Sequence, residues 1–377
     1  MNSALEQNST SEPRTRVIRI LFNVCADADN YNAQSLNARE IALRLDPAHF
    51  ESTLLFERSP DARLLREGIR TVKLPRRRKT IRILREMLGR YDFIVYIDLS
   101  PASYIYLHLP RSLRRGTKSV LCMEGPRGNL DGVSATVRKY ADYAVRHADL
   151  RTAVSEFVAQ DACDLFGIKA DMIMPVGVDT RVFSPRVVRN RQVVTILFVG
   201  HLIERKGAHL VYEAAKRLPQ ARFRLIGNAR DGFGRELLSE HEKAKLSNVS
   251  IEKPVPHAQL AEAMRESDIF ILPSRIEGMP KVTLEAAATG LPCIVFSDYK
   301  TSSVADGVTG FQVETFEQML DRLQLLIQDA DLRRRMSAAA TCYAKQFDWD
   351  HVAAQWGATF DREWRRDLFS ANGRRAV

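Results

Sequence analysis

At 377 residues, 45% hydrophobic and 27% charged, the chain has an ordinary globular composition and exceeds what one hydrophobic core usually serves, so two domains are expected. No window reaches the roughly 18 uninterrupted apolar residues of a membrane-spanning helix; the nearest, DFIVYIDLSPASYIYLHL, is broken by Asp98 and Pro101. The formal charge of +10 leaves nucleic acid, a membrane surface or an anionic substrate as partners, while five scattered cysteines without a CxxC pair read as small buried apolar residues, against a zinc site and for a reducing compartment.

Residues 1–15 are polar, lack the apolar segment of a secretory signal, and are expected to form a disordered tail on a cytoplasmic protein. From there strand-like and helical runs alternate, the grammar of parallel sheets flanked by helices. VIRILFNVCA reads as a strand and LNAREIALRL as a helix; STLLFE, DFIVYIDL and KSVLCM are further strands. VRKYADYAVRHA is helical, LRTAVS is a short strand entering EFVAQDACDLFG, and DMIMPVGVD ends the first sheet. This N-terminal domain is expected over 16–186. Asp27-Ala28-Asp29, after the first strand, matches the Asp-x-Asp spacing of some cation sites, but loop aspartates there are routine turn chemistry, and no metal is expected.

The sharpest basic cluster is Arg76, Arg77, Arg78, Lys79, Arg82 and Arg85. On a helix, Ile81, Leu84 and Leu88 would share the apolar face, with the arginines elsewhere. Two readings stand: a surface helix with a solvated basic side, or a contact for anionic lipid headgroups on the inner face of the cytoplasmic membrane. Nucleic acid is not expected, because no recognition motif or stacking aromatic series accompanies the charge.

After the basic linker FSPRVVRNRQ the same alternation restarts, giving a second domain over 192–351 and a helix over about 352–377. Ligands of such sheets sit at the carboxyl ends of strands, so the loops after them carry the chemistry. Three loops suit a nucleoside diphosphate. GHLIERKG, from Gly200, puts His201, Arg205 and Lys206 beside a helix start, where backbone donors and cations meet phosphate. LIGNARDG places Gly227 where backbone can approach a ligand closely. EGMPKVTLEA places two glutamates with seven residues between them, one in the loop and one on the next helix: Glu277 for sugar hydroxyls and Glu285 for a ribose diol. Pro280 is read as the first helical residue, so the free amides near Gly278, Met279 and Lys281 face an anion.

These segments resemble the large retaining glycosyltransferase family 4. FVGHLIERKG, EGMPKVTLEA, ATGLPCIVF, DGVTGFQV and, at the junction, PVGVDTRVFSP carry the resemblance; in the first half only the strand pattern and HADLRTAVS do. It implies the GT-B fold: two Rossmann-like doubly wound α/β domains facing across a cleft, with the C-terminal helix crossing back onto the first, so that Trp356 and Trp364 pack. It implies a donor site of Lys206 and His201 at the diphosphate, Glu277 at the sugar and Glu285 at the ribose. Two departures matter: His201 stands where members carry arginine, and Asn30, Tyr31 and Asn32 replace a double glycine after the first strand. Glu124 replaces an acceptor-side histidine.

The function implied is retaining transfer of a sugar from a nucleotide sugar to an acceptor hydroxyl, a saccharide or lipid-linked saccharide, in surface polysaccharide or glycolipid assembly, without a metal or other cofactor. Glu277, Lys206 and His201 are the expected catalytic group, with no separate base. The rival readings are a non-catalytic partner subunit of the same shape and a nucleotide-sugar epimerase.

Overall fold

The computed structural model describes residues 16–28, 32–97, 100–126, 134–185 and 193–373. The anticipated tail, Asp29, Asn30, Tyr31, Asp98 and most of the linker lie outside these.

The first half runs β1 (Ile18–Cys25), α1 (Ala33–Ala42), β2 (Phe50–Phe56), α2 (Ala62–Arg66), β3 (Arg70–Lys73), α3 (Lys79–Met87), β4 (Phe93–Tyr96), α4 (Pro101–His108), β5 (Lys118–Met123), α5 (Ala135–His147), β6 (Leu150–Ala153), α6 (Glu156–Phe166) and β7 (Met172–Ile173). The second runs β8 (Thr195–Val199), α7 (Ala208–Arg217), β9 (Arg222–Ile226), α8 (Gly232–Ala244), β10 (Val249–Glu252), α9 (His257–Arg265), β11 (Ile269–Leu272), α10 (Lys281–Ala288), β12 (Cys293–Phe296) and β13 (Gly310–Val313). Three helices close the chain: α11 (Phe316–Gln328), α12 (Ala330–Ala344) and α13 (Trp349–Gly373).

Each half is one parallel sheet, ordered β3-β2-β1-β4-β5-β6-β7 and β10-β9-β8-β11-β12-β13. Parallel strands covered by helices on both faces need apolar residues throughout, and FIVY, IFIL and CIVF are buried at every position. In both sheets the order reverses beside the first strand, between β1 and β4 and between β8 and β11. Ligand crevices of this architecture open at that switch, at the carboxyl ends of the strands. Side-chain caps set the helix starts: Ser155 accepts from Val158 at α6, and Thr315 from Gln318 at α11.

The last helix packs on the first sheet. Phe360 lies 5.0 Å from Phe93 between ring centroids, Lys118 Nζ donates to the Glu363 carbonyl at 2.8 Å, and Trp356 and Trp364 join the same apolar cluster. The two passages between the halves run side by side: Val178 N donates to Phe347 O at 2.8 Å, and Trp349 N to Val178 O at 3.1 Å. Gly177 lies flat on the Trp349 indole, where a Cβ would stand 2.4 Å from the ring.

Three sequence expectations are corrected. On α3 the core-facing residues are Ile83 and Met87, with Leu84 and Leu88 partly covered, whereas Ile81 is 64% exposed among the arginines. The i, i+4 pair Ile83 and Met87 takes the core side of the helix, which leaves Ile81, in its first turn, on the outer side. Edge strands β3 and β10 were not anticipated; each is four residues long and lacks the fully buried run of an inner strand. Cys342 is exposed on α12 rather than buried.

Candidate donor site between the two sheets

β8 ends at Val199, and the chain turns through Gly200 and His201 into a single 3-10 turn, Glu204–Lys206, before α7. β11 ends at Leu272, and the segment from Pro273 to Pro280 leads into α10. Neighbouring strands at the switch bring these two loops together. Lys206 Nζ ion-pairs with Glu277 Oε1. Arg205 Nη1 stands 3.7 Å from the same oxygen and donates to the Ile276 carbonyl at 2.7 Å. Ser274 Oγ donates to Glu277 Oε1 at 2.6 Å. A lysine, an arginine and a hydroxyl thus converge on one carboxylate, which fixes its rotamer and offers positive charge and an acceptor at one point.

Gly227 and Gly278 are both required by close approach. A Cβ on Gly227 would meet the Gly200 carbonyl oxygen at 1.8 Å, so the two strand-end loops touch through backbone. A Cβ on Gly278 would meet the Glu124 carbonyl oxygen at 2.1 Å, and Ser155 Oγ donates to the Gly278 carbonyl at 3.0 Å. The loop between β11 and α10 is therefore seated against the first sheet. Between them opens a cleft of ≈ 600 Å³ lined by Glu124, Gly125 and Pro126 on one side and Arg205, Ile276, Glu277 and Gly278 on the other.

Pro280 is the N-cap of α10 and not its first helical residue; Lys281 takes that place, and the Thr283 hydroxyl caps back onto the Pro280 carbonyl at 2.6 Å. Met279 packs its side chain into the core, which leaves its backbone as what it can offer a ligand. Glu285 is 2% exposed and is engaged by Lys281 Nζ at 3.2 Å and by His257 Nε2 at 3.0 Å. Burial works to raise its pKa, but Lys281 and His257 hold it below the usual carboxylate value. His201 Nδ1 lies 2.7 Å from Asn228 Oδ1, at the end of β9. Its pKa is lowered by burial and by the neighbouring Arg230, Lys206 and Arg205, against the Asn228 hydrogen bond.

On the first-sheet side, Asn37 Nδ2 donates to Glu124 Oε1 at 3.0 Å, and burial pushes the Glu124 carboxyl up to about 7. Asn32 is the N-cap of α1, its side chain accepting from Ser35 N at 2.7 Å, so its position is explained by the helix start. The Asp27 carboxylate accepts the backbone amides of Glu57, Arg58 and Ser59 at 2.7–3.1 Å, so it ties its loop to the segment after β2 and does not close its own turn as expected. No group of three potential metal ligands occurs among the described residues.

The structure thus joins Arg205, Glu277 and Gly278 at one cleft with Glu124 opposite, with Lys206 paired to Glu277, while Glu285 lies in a separate buried ion cluster on the next helix. The sequence reading missed Ser274, Asn228 and His257. Ser274 and Asn228 follow strand ends directly, a signal that was available; His257 reaches Glu285 from a different helix, with no local signal. Tyr299, also missed, is fully buried with its hydroxyl unpartnered among the described residues, and burial and the nearby Glu277 charge raise its pKa.

Residues 181–342 match the family model of glycosyl transferases group 1. Over this second-half segment the chain is similar to the group 1 glycosyltransferases. It is 29% identical over 236 residues to the D-inositol 3-phosphate glycosyltransferase of Xylanimonas cellulosilytica, covering 56% of this chain and 57% of that one. The matched part spans little more than half the length of such curated relatives. Among solved structures, sucrose-phosphate synthase of Thermosynechococcus elongatus superposes with a TM-score of 0.73 at 18% identity, over 94% of this chain and 100% of that one. HepE of Anabaena, solved in complex with UDP, gives a TM-score of 0.74 at 18% identity over 92% of this chain and 100% of that one. The fold is therefore GT-B, as the sequence resemblance implied. The region matched by the family model contains every donor-side residue named above, from Gly200 to Glu285.

Proposed function

We propose that the protein transfers a sugar, with retention, from a nucleoside-diphosphate sugar to an acceptor hydroxyl, in surface polysaccharide or glycolipid assembly. The observation that carries this reading is the convergence of Lys206 and Arg205 on Glu277 at the cleft. On donor binding the two cations meet the diphosphate, and Glu277, held by Ser274, accepts hydroxyls of the transferred sugar. The leaving charge is met by fixed cations and by the amides at the start of α10, so the reaction has no need of a metal. Glu285 orients the ribose while Lys281 and His257 hold it in place. Solved relatives of the same fold, HepE with UDP and with UDP-glucose, support a nucleotide-sugar donor.

The acceptor side is read from Glu124, which faces the donor loop across the cleft. Membrane docking is read from α3: Arg76, Arg77, Arg78 and Arg85 are exposed beside the exposed Ile81, while Lys79 pairs with Glu57 and Arg82 reaches Glu86 at 3.8 Å. A panel of UDP-, GDP- and ADP-sugars tests the donor. One should raise the melting temperature and be consumed with a lipid-linked or free saccharide, and stabilisation by none of them refutes the reading. Co-sedimentation with phosphatidylglycerol but not phosphatidylcholine vesicles tests docking; equal recovery with both at low salt refutes it.

A further inference from the structure

His201 sits in the first donor loop with two features that together fix its chemistry. Its Nδ1 faces a carbonyl-type oxygen, Asn228 Oδ1, which can only accept, so Nδ1 carries the ring's proton in the neutral form. Nε2 then bears a lone pair, which repels a phosphate oxygen and cannot donate to it. Only a second proton turns Nε2 into a donor. The charged groups facing the ring are Arg205 and Lys206 on the 3-10 turn and Arg230 after β9, all cationic, and Glu277 is already engaged by Lys206.

We infer that His201 meets the donor diphosphate as an imidazolium, so that binding a nucleotide sugar takes up a proton from solvent. This rests on the donor reading above. In the free protein the cations around the ring and its partial burial keep it neutral at pH 7.5, in line with its lowered pKa. An arriving pyrophosphate diester brings two negative charges and reverses that field. By linkage, the ligand that raises the affinity of Nε2 for a proton is itself bound more tightly by the protonated protein. A nucleotide sugar titrates nothing between pH 6 and 9, so the proton must go to the protein.

The sign follows directly. Below the free-protein pKa, His201 is charged in both states and affinity is flat. Between the free and bound values affinity falls with rising pH, by up to about tenfold per unit. Above the bound value it is flat again and weak.

Isothermal titration with UDP-glucose, GDP-mannose and ADP-glucose at pH 7.5, in buffers of differing ionisation enthalpy, reads the proton count for whichever donor binds. For wild type we expect uptake of between about half and one proton, and affinity that weakens from pH 6.5 to 8.5. His201→Arg carries a permanent charge and should bind with uptake near zero and a flat pH profile. His201→Gln should also show no uptake, with weaker binding, and covers the case in which the arginine variant does not fold. Wild-type uptake equal to that of the variants, with binding intact, overturns the inference and leaves the donor reading standing. Failure of all three donors to bind wild type overturns the donor reading itself, and the inference falls with it.

Discussion

Gly278→Ala tests whether the cleft depends on the seating of one loop against the other sheet. A methyl at this position would lie 2.1 Å from the Glu124 carbonyl oxygen, 2.9 Å from its carbon and 3.2 Å from Gly125 Cα. All three are backbone atoms, so no side chain can rotate aside, and the seam must open by about 1 Å to restore ordinary contact. The strain of such overpacking is about 1–3 kcal/mol, and the Ser155 hydrogen bond to the Gly278 carbonyl, worth about 1 kcal/mol, is stretched as well. The kinetic effect should be larger. Glu277 is the residue before Gly278, and a displacement of about 1 Å at a reacting centre lowers turnover by about 10²-fold. Denaturant unfolding gives the first quantity and steady-state turnover at saturating donor the second. Wild-type turnover in Gly278→Ala refutes the reasoning, because it would mean that the loop position against Glu124 is immaterial.

Lys206→Ala leaves Glu277 with Arg205 and Ser274 but removes the nearest cation from the diphosphate; turnover should fall about 10²–10³-fold with the fold intact by circular dichroism. The Glu124 carboxyl, raised to about 7 from its ordinary 4.5, contributes most to stability below pH 4.5 and loses that contribution as pH rises to 7. Stability of wild type relative to Glu124→Gln should therefore decline across pH 4.5–7 by up to about 3 kcal/mol in urea titrations, and a parallel pair of profiles contradicts the burial argument. Trp349→Ala removes one of the largest fully buried side chains, the surface on which Gly177 lies, and should lower stability by about 3–5 kcal/mol by the same measurement.

The donor side was legible because its chemistry lies in short contiguous loops, each directly after a strand whose apolar run is unmistakable. Lys206 and Glu277 could be paired in role, if not in space, from GHLIERKG and EGMPKVTLEA alone. What escaped the reading depends on how helices and loops are phased once packed. Pro280 was placed one residue too far into the helix, because a proline suits both the cap and the first turn. Spacing puts Ile81 on the apolar face with Leu84 and Leu88, but packing centres on Ile83 and Met87, which leaves Ile81 outside. His257 and Glu285 meet across 28 residues, and the Glu124–Gly278 seam joins residues of different sheets. Neither can be found from periodicity, since each exists only when two elements dock.

The charges around the proposed donor site explain why a histidine can stand where the resemblance led us to expect arginine. Arg205, Lys206, Arg230 and Lys281 are four cations, and Glu277 and Glu285 are two carboxylates, so four less two leaves a surplus of two positive charges. That already matches the two negative charges of a pyrophosphate diester. A permanent fifth cation at position 201 would add to that surplus in the free protein, next to Arg230, Lys206 and Arg205. It should therefore act in opposite directions on the two states. His201→Arg is expected to melt lower than wild type without donor, through like-charge repulsion, and to gain more from saturating donor. Paired melting curves at low ionic strength measure both shifts, and added salt should shrink the first by screening. A variant that melts higher than wild type without donor would mean that the cations at this loop are not crowded, and the account of why His201 stays neutral would fail with it.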